Sequence, residues 1–299
     1  MSGNANVNAN VNANVNPVFD SYGAALAEAL KANVRAAIAE DVGSGDLTGL
    51  LVPAAKSARA RVIVREQAVL CGQPWFEACM RAVDPALQVR WQQAEGARMA
   101  PDSVVCEITG PARSLLTAER PALNFLQLLS GVATATRRYA DLVEGTRARV
   151  LDTRKTLPGL RLAQKYAVKV GGGDNQRLAL YDGILIKENH IAAAGSITAA
   201  MQAAAALDAG VSVQVEVESL AELEEALAAD AKSILIDNFT EAMMCDAVRI
   251  NAGRALLEVS GGVNADTIRA FAETGVDRIS VGALTKDVRA TDYSLRIIE

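Results

Sequence analysis

The sequence predicts an α/β protein in two unequal parts, a small α+β unit followed by a barrel-like sheet of parallel strands. Three observations predict it. After residue 148, short apolar runs alternate with Ala-rich helical stretches, the signature of a βα repeat whose strands run parallel. Before that point, β-like runs and helical stretches follow one another with no such alternation. The chain has 299 residues, 51% hydrophobic and 22% charged, a balance that can bury a sizeable core.

From Asn4 to Asn16 the chain alternates Asn with Ala or Val. One face of such a segment would be all Asn and the other would bury little, so residues 1–16 are expected to form a disordered tail. There is no positive start and no apolar run of signal-peptide length. Leu26, Leu30, Val34 and Ile38 recur every four residues and make one helical stripe between Tyr22 and Glu40, with Gly43 as a stop signal. β-like runs follow at Ala60–Val64, Leu87–Trp91 and Val104–Ile108, with a helical stretch from Pro74 to Val83 between the first two. A long helical stretch from Leu115 to Glu144 is expected to break at Pro121 and Gly131. The parallel repeat then supplies Val150-Leu151, Ile184–Ile186, Val213–Val217, Ile234–Ile236, Leu256–Val259 and Ile279–Val281. That is six strands rather than eight, so the barrel need not be regular.

Composition excludes several classes of function. A net charge of −5 argues against general nucleic-acid binding or attachment to an acidic membrane, which need an excess of Lys and Arg. No segment approaches eighteen uncharged apolar residues, so none spans a membrane. Cys71, Cys79, Cys106 and Cys245 have neither zinc-site spacing nor the density of a disulfide scaffold, and read as reduced thiols of a cytoplasmic protein. His190 is the only histidine, which removes His-rich zinc sites and leaves oxygen ligands for any metal, favouring Mg²⁺ or Mn²⁺.

Charge gathers in one stretch. Between Arg137 and Lys187 there are eleven cations against five acids, within a chain that is acidic as a whole. Such a block suits a small polyanionic substrate, because guanidinium forks and Lys ammonium groups bind carboxylate and phosphate. Arg137, Arg138, Arg147, Arg149 and Lys165 read instead as a solvated helix face, whereas Arg154, Lys155 and Lys187 abut apolar strands. Gly171-Gly172-Gly173 can cradle a phosphate or simply end a helix, and the two readings weigh equally. Ser260-Gly261-Gly262 and Gly282 directly follow strands, where a barrel opens its site. Glu216 and Asp237 close two successive strands and suit Mg²⁺, although either carboxylate could instead cap a helix. His190 reads as structural.

Several of these runs together resemble one known family. Glu40-Asp41 with Gly45-Asp46-Leu47-Thr48, TAERPALNFLQLLSGVAT from Thr117, DTRKTLPGLR from Asp152, QKYAVKVGGGDNQRLALYDGILIKENHI from Gln164, VEVE from Val215 and ISVGALT from Ile279 resemble quinolinate phosphoribosyltransferase, or nicotinate-nucleotide pyrophosphorylase (carboxylating). The likeness runs from about residue 22 to the C-terminus. It implies an N-terminal α/β sandwich over 17–130 and an incomplete α/β barrel over 131–299, whose last residues can return to the first domain. It implies Mg²⁺-dependent conversion of quinolinate and phosphoribosyl diphosphate to nicotinate mononucleotide, CO₂ and diphosphate, in de novo NAD synthesis.

By motif position the resemblance assigns Arg154, Arg177 and Lys187 to the quinolinate carboxylates, with Arg120 reaching in from the second chain of a homodimer that shares its sites. Lys155 would face the phosphoribosyl group. Glu216 and Asp237 would serve Mg²⁺ and the ribose hydroxyls, and Ser260, Gly261 and Gly282 would line the phosphate site. Gln176 stands where many members have a histidine, and is expected to keep a hydrogen bond to substrate without a charge. Two alternatives stay open, a relative with a changed substrate and an anion-binding protein without catalysis.

Overall fold

A computed structural model describes residues 16–298. The expected tail lies outside the described residues except for Asn16, which is built into the fold. Its side chain caps helix α1 (Pro17–Asp20) by accepting the Phe19 N–H, and donates to the Tyr166 hydroxyl at 2.7 Å. The N-terminal unit continues with α2 (Gly23–Val42), β1 (Ser57–Val64), β2 (Ala68–Val69), α3 (Gln73–Val83), β3 (Gln88–Trp91), β4 (Arg98–Met99), β5 (Val104–Pro111) and the long α4 (Ala112–Leu142). The second unit runs β6 (Arg149–Leu151), α5 (Arg161–Val170), β7 (Gly183–Ile186), α6 (Glu188–Ala194), α7 (Ile197–Ala206), β8 (Ser212–Val217), α8 (Leu220–Ala228) and β9 (Ser233–Asp237). It ends with α9 (Glu241–Asn251), β10 (Leu256–Ser260), α10 (Ile268–Glu273), β11 (Arg278–Ser280), α11 (Ala283–Lys286) and β12 (Tyr293–Ile297).

Four strands form an antiparallel sheet in the order β12-β1-β5-β3, so the chain's last strand pairs with its first. Strict alternation in β1 buries Ala58, Ala60, Val62 and Val64 on one face. Arg59 and Arg61, on its other face, donate to Glu107 of β5 at 2.8 and 2.9 Å. Helices α2, α3 and α4 pack together, and α4 lies on β1 and β5. The expected break in α4 does not occur. Pro121 removes one N–H from the ladder, but Leu115, Ala118, Ala122, Leu126 and Leu129 are fully buried around it and hold the helix straight through. Gly131 is needed for close packing, since a Cβ there would collide with the Arg289 carbonyl.

The six apolar runs become one parallel sheet, ordered β6-β11-β10-β9-β8-β7. In a closed barrel the first and second strands would pair. Here β6 and β7 are the two edges, and between them the chain makes one parallel bridge, Leu151 to Asp174. The barrel is therefore open at a seam filled by residues 173–177 and α5. Outward-facing Ile186, Val215, Val217, Ile234, Ile236, Leu257, Val259, Ile279 and Val281 are buried, so period two turns the intervening residues inward.

Lys165 departs from its expected place on a solvated face. It is fully buried on α5, pairs with the equally buried Asp152 at 2.5 Å, and also donates to the Gln176 carbonyl at 2.9 Å. The helical period put it on a polar stripe, but that stripe packs against the seam rather than facing water.

Candidate active site

The inward residue at the C-terminal end of each strand, or just past it, forms a rim: Lys187 after β7, Glu216 on β8, Asp237 on β9, Ser260 on β10 and Gly282 after β11. Lys187 Nζ and Glu216 Oε2 pair at 2.6 Å, with the carboxylate buried and the ammonium half-exposed. Asp237 accepts from the neighbouring Asn238 Nδ2 at 3.0 Å. Gly261 has φ +88°, and a Cβ there would press on the Asp237 carboxylate at 3.0 Å. Likewise a Cβ at Gly282 would meet the Lys155 side chain at 3.3 Å. Both glycines keep backbone exposed beside a charged group, as a phosphate pocket requires.

The loop after β6 adds more cations. Lys155 is exposed, its N–H bonded to Thr153 Oγ1 at 3.0 Å, and its ammonium has no ion pair among the described residues. Arg154 is half-buried and its Nε is enclosed without a hydrogen-bond partner. Arg177 donates to the Gly183 carbonyl at 2.9 Å, at the start of β7. It borders a cavity of about 500 Å³ whose other walls include Ser212, Ser233 and Arg278 at the strand starts. Burial first, then the positive charge of Arg154, lowers the Arg177 pKa. The Asp182 carboxylate acts in the opposite sense, and neither arginine makes an ion pair among the described residues.

Gln176 is held on every side by the fold. Its Nε2 donates to Gln214 Oε1 at 2.8 Å and to both Glu258 oxygens at 3.0 Å, and its Oε1 accepts the Arg177 N–H at 2.7 Å. Inner-layer neighbours take up the Gln176 amide in this structure. Asp152 accepts from Lys165, from the Gln176 N–H at 2.9 Å and from Asn175 Nδ2 at 2.7 Å. Burial pushes its carboxyl up to about 6 despite these donors. Asn175 in turn accepts from the Tyr22 hydroxyl, tying the seam to the N-terminal unit.

The phosphate-cradle reading of Gly171-Gly172-Gly173 does not survive. All three N–H groups bond back to carbonyls of α5, and a Cβ on Gly171 or Gly173 would strike Thr136 of α4. These glycines end a helix and allow close packing. His190 accepts the Lys187 N–H on Nδ1 at 3.0 Å and caps α6, a structural role. Arg120 stands on α4 in the other unit, more than half exposed, and its one ion pair is a 3.8 Å contact with Glu119. Among the described residues it makes no hydrogen bond or ion pair with a rim residue.

Sequence reasoning passed over Gln214, Glu258 and Ser280. Each lies two residues before a rim position on the same strand, so the inward period that marks Glu216, Ser260 and Gly282 would have found them. Among the described residues no three or more His, Cys, Asp or Glu side chains gather into a metal cage. Two carboxylates on adjacent strands fit Mg²⁺, which keeps waters and substrate phosphates as its remaining ligands.

An open α/β barrel with a cationic rim, two strand-end carboxylates and glycine turns defines an anion-handling enzyme of the α/β-barrel class. Residues 46–130 match the quinolinate phosphoribosyl transferase N-terminal domain, and residues 132–296 match the C-terminal domain of that family. The nicotinate-nucleotide pyrophosphorylase [carboxylating] of Mycobacterium leprae is 41% identical over 278 residues, covering 90% of this chain and 97% of that one. A probable nicotinate-nucleotide pyrophosphorylase [carboxylating] of Bacillus subtilis is 38% identical over 86% of this chain and 90% of its own length. The solved nicotinate-nucleotide pyrophosphorylase from Francisella tularensis superposes with a TM-score of 0.87 at 43% identity, over 91% of this chain and 96% of that one. The chain belongs to the quinolinate phosphoribosyl transferase family.

Proposed function

We infer that this chain transfers the phosphoribosyl group of phosphoribosyl diphosphate to quinolinate with loss of CO₂, giving nicotinate mononucleotide and diphosphate for de novo NAD synthesis. Family membership over both domains supports the reaction. The observation that carries the substrate is the loop after β6, where the Arg154 Nε is enclosed without a hydrogen-bond partner and Lys155 makes no ion pair among the described residues. A pyridine dicarboxylate supplies two anionic groups to such cations.

The pyridine nitrogen donates its electron pair to the ribose C1 as the C1–O bond to diphosphate breaks, leaving a pyridinium. The C–C bond to the adjacent carboxylate then breaks, CO₂ departs, the electron pair stays on the ring carbon under the pull of the positive nitrogen, and a proton takes its place. Lys155 holds the phosphoribosyl group and offsets charge on the leaving oxygens. Glu216 and Asp237 hold the ribose hydroxyls and would carry Mg²⁺, which when bound neutralises diphosphate charge. Ser260, Gly261 and Gly282 receive the phosphate. No helix of the described residues is long and apolar enough to cross a membrane, and all four cysteines are free, which suits a cytoplasmic enzyme.

The active form is a homodimer that shares its sites. Arg120 points outward beside a turn whose Leu47, Leu50 and Leu51 are 82, 63 and 83% exposed. The turn is tied to α4 through Asp46, which accepts from Thr117 Oγ1 at 2.8 Å. An apolar patch flanking a cation gives a second copy both a surface to cover and a charge to use.

Release of CO₂ from quinolinate, dependent on both phosphoribosyl diphosphate and Mg²⁺, is the expected result, and its absence refutes the reaction. Arg120→Ala and Lys187→Ala should each be inactive. Unfolded and refolded together, they should regain about a quarter of parental activity, because random pairing makes half the dimers mixed with one intact site in two. A mixture that stays inactive while a parental control recovers refutes the sharing.

A further inference from the structure

We propose that Glu258 is a positioning residue for Arg177, acting through Gln176; the inference rests on the quinolinate reading above. The seam is where the barrel lacks strand pairing, and Arg177 lies on the segment that fills it. That segment has a single backbone bridge to the sheet, at Leu151 and Asp174, and past it the chain is held by side chains. Gln176 is the peg. Its N–H donates to Asp152 at 2.9 Å, its carbonyl accepts from Lys165 at 2.9 Å, its Oε1 takes the Arg177 N–H at 2.7 Å, and its Nε2 enters the barrel to reach Gln214 and Glu258.

Glu258 is the anchor of that peg. It is fully buried on β10 and accepts from Gln176 at 3.0 Å, from Gln214 Nε2 at 2.9 Å and from the Ser280 hydroxyl. No Lys or Arg pairs with it among the described residues. A buried carboxylate without a counter-charge is costly to keep, and branched apolar side chains are the usual filling of a barrel at this depth. Its four acceptor positions instead organise three neutral donors, on strands β8 and β11 and at the seam. Gln214, Glu258 and Ser280 lie two residues before Glu216, Ser260 and Gly282, so this polar layer is the floor of the site. Removing the anchor releases the Gln176 amide and lets the Arg177 backbone move relative to the rim, and a guanidinium fork tolerates little misplacement against a carboxylate.

Steady-state kinetics with each substrate varied tests this. Glu258→Ala and Gln176→Ala should each raise KM for quinolinate about tenfold, the scale of one hydrogen bond to a charged group. KM for phosphoribosyl diphosphate and kcat should change less than about twofold. Glu258→Gln, which keeps an acceptor for Gln176, should recover most of the parental KM. In an Arg177→Ala background, Glu258→Ala should add nothing further. Equal losses on both substrates, or a full additional loss in that background, would mean a general structural role and overturn the proposal. Should Glu258→Ala fail to fold, Gln176→Ala decides, and a parental quinolinate KM in that variant overturns it. An active parent with unaffected variants refutes this inference alone, whereas a parent that does not consume quinolinate refutes it together with the functional reading.

Discussion

The two larger sheets of this molecule handle charge in opposite ways. In the antiparallel sheet, Glu107 is ringed by Arg59, Arg90 and Arg61 at 2.8, 2.9 and 2.9 Å, so the carboxylate's charge is met within the fold. In the parallel unit, Arg154 keeps a buried Nε without a partner, and neither Lys155 nor Arg177 makes an ion pair among the described residues. At the seam below that rim, Lys165 and Asp152 pair with neither exposed. Compensated charge marks where the chain must hold together, and uncompensated charge marks where an anion from outside completes the balance.

The sharpest way to break this comparison is at the buried pair. Lys165→Met strands the Asp152 carboxylate without its cation and should cost about 3 to 5 kcal/mol, the usual result of removing one partner of a buried pair. Denaturant unfolding measures it, and a loss under about 1 kcal/mol would show that the pair carries no such burden. At the rim the same kind of deletion should leave stability alone and remove catalysis. Lys155→Ala should lower kcat by about 10² to 10³, as does the loss of a group that meets developing charge, with stability changed by less than about 0.5 kcal/mol. Unchanged turnover would take Lys155 out of the site.

The smallest effect belongs to the antiparallel sheet. Arg59, Arg90 and Arg61, in that order, hold the Glu107 carboxyl down at about 2. A carboxylate depressed in the folded state contributes stability that is complete above its unfolded value of about 4.3 and disappears as pH falls through the folded value. Acid unfolding followed by circular dichroism should therefore show the parent losing stability between about pH 4 and pH 2, and Glu107→Gln losing less over that interval. Identical acid profiles would mean that the three arginines do not act on this carboxyl.

Short-range pattern was enough to read the six parallel strands, because alternation and the turn residues that follow each run are local properties of the chain. The same alternation sets Glu216, Asp237 and Ser260 at strand ends, and the resemblance in DTRKTLPGLR and LIKENH points to the chemistry. Other features depend on which distant segments meet. Pro121 and Gly131 look like helix breaks until the buried face of α4 and the approach of Arg289 are in place. Lys165 looks solvated until the seam closes over it against Asp152. Gly171 to Gly173 read equally as a phosphate cradle or a helix end until their N–H groups are seen to bond back to α5. Glu258 looks like one more charged residue of a strand until Gln176, Gln214 and Ser280 converge on it from the seam and two other strands. Period assigns a residue to a face of its own element; what that face meets, and hence whether a charge is satisfied or waiting, is set by contacts between residues far apart in the chain, to which no local pattern is sensitive.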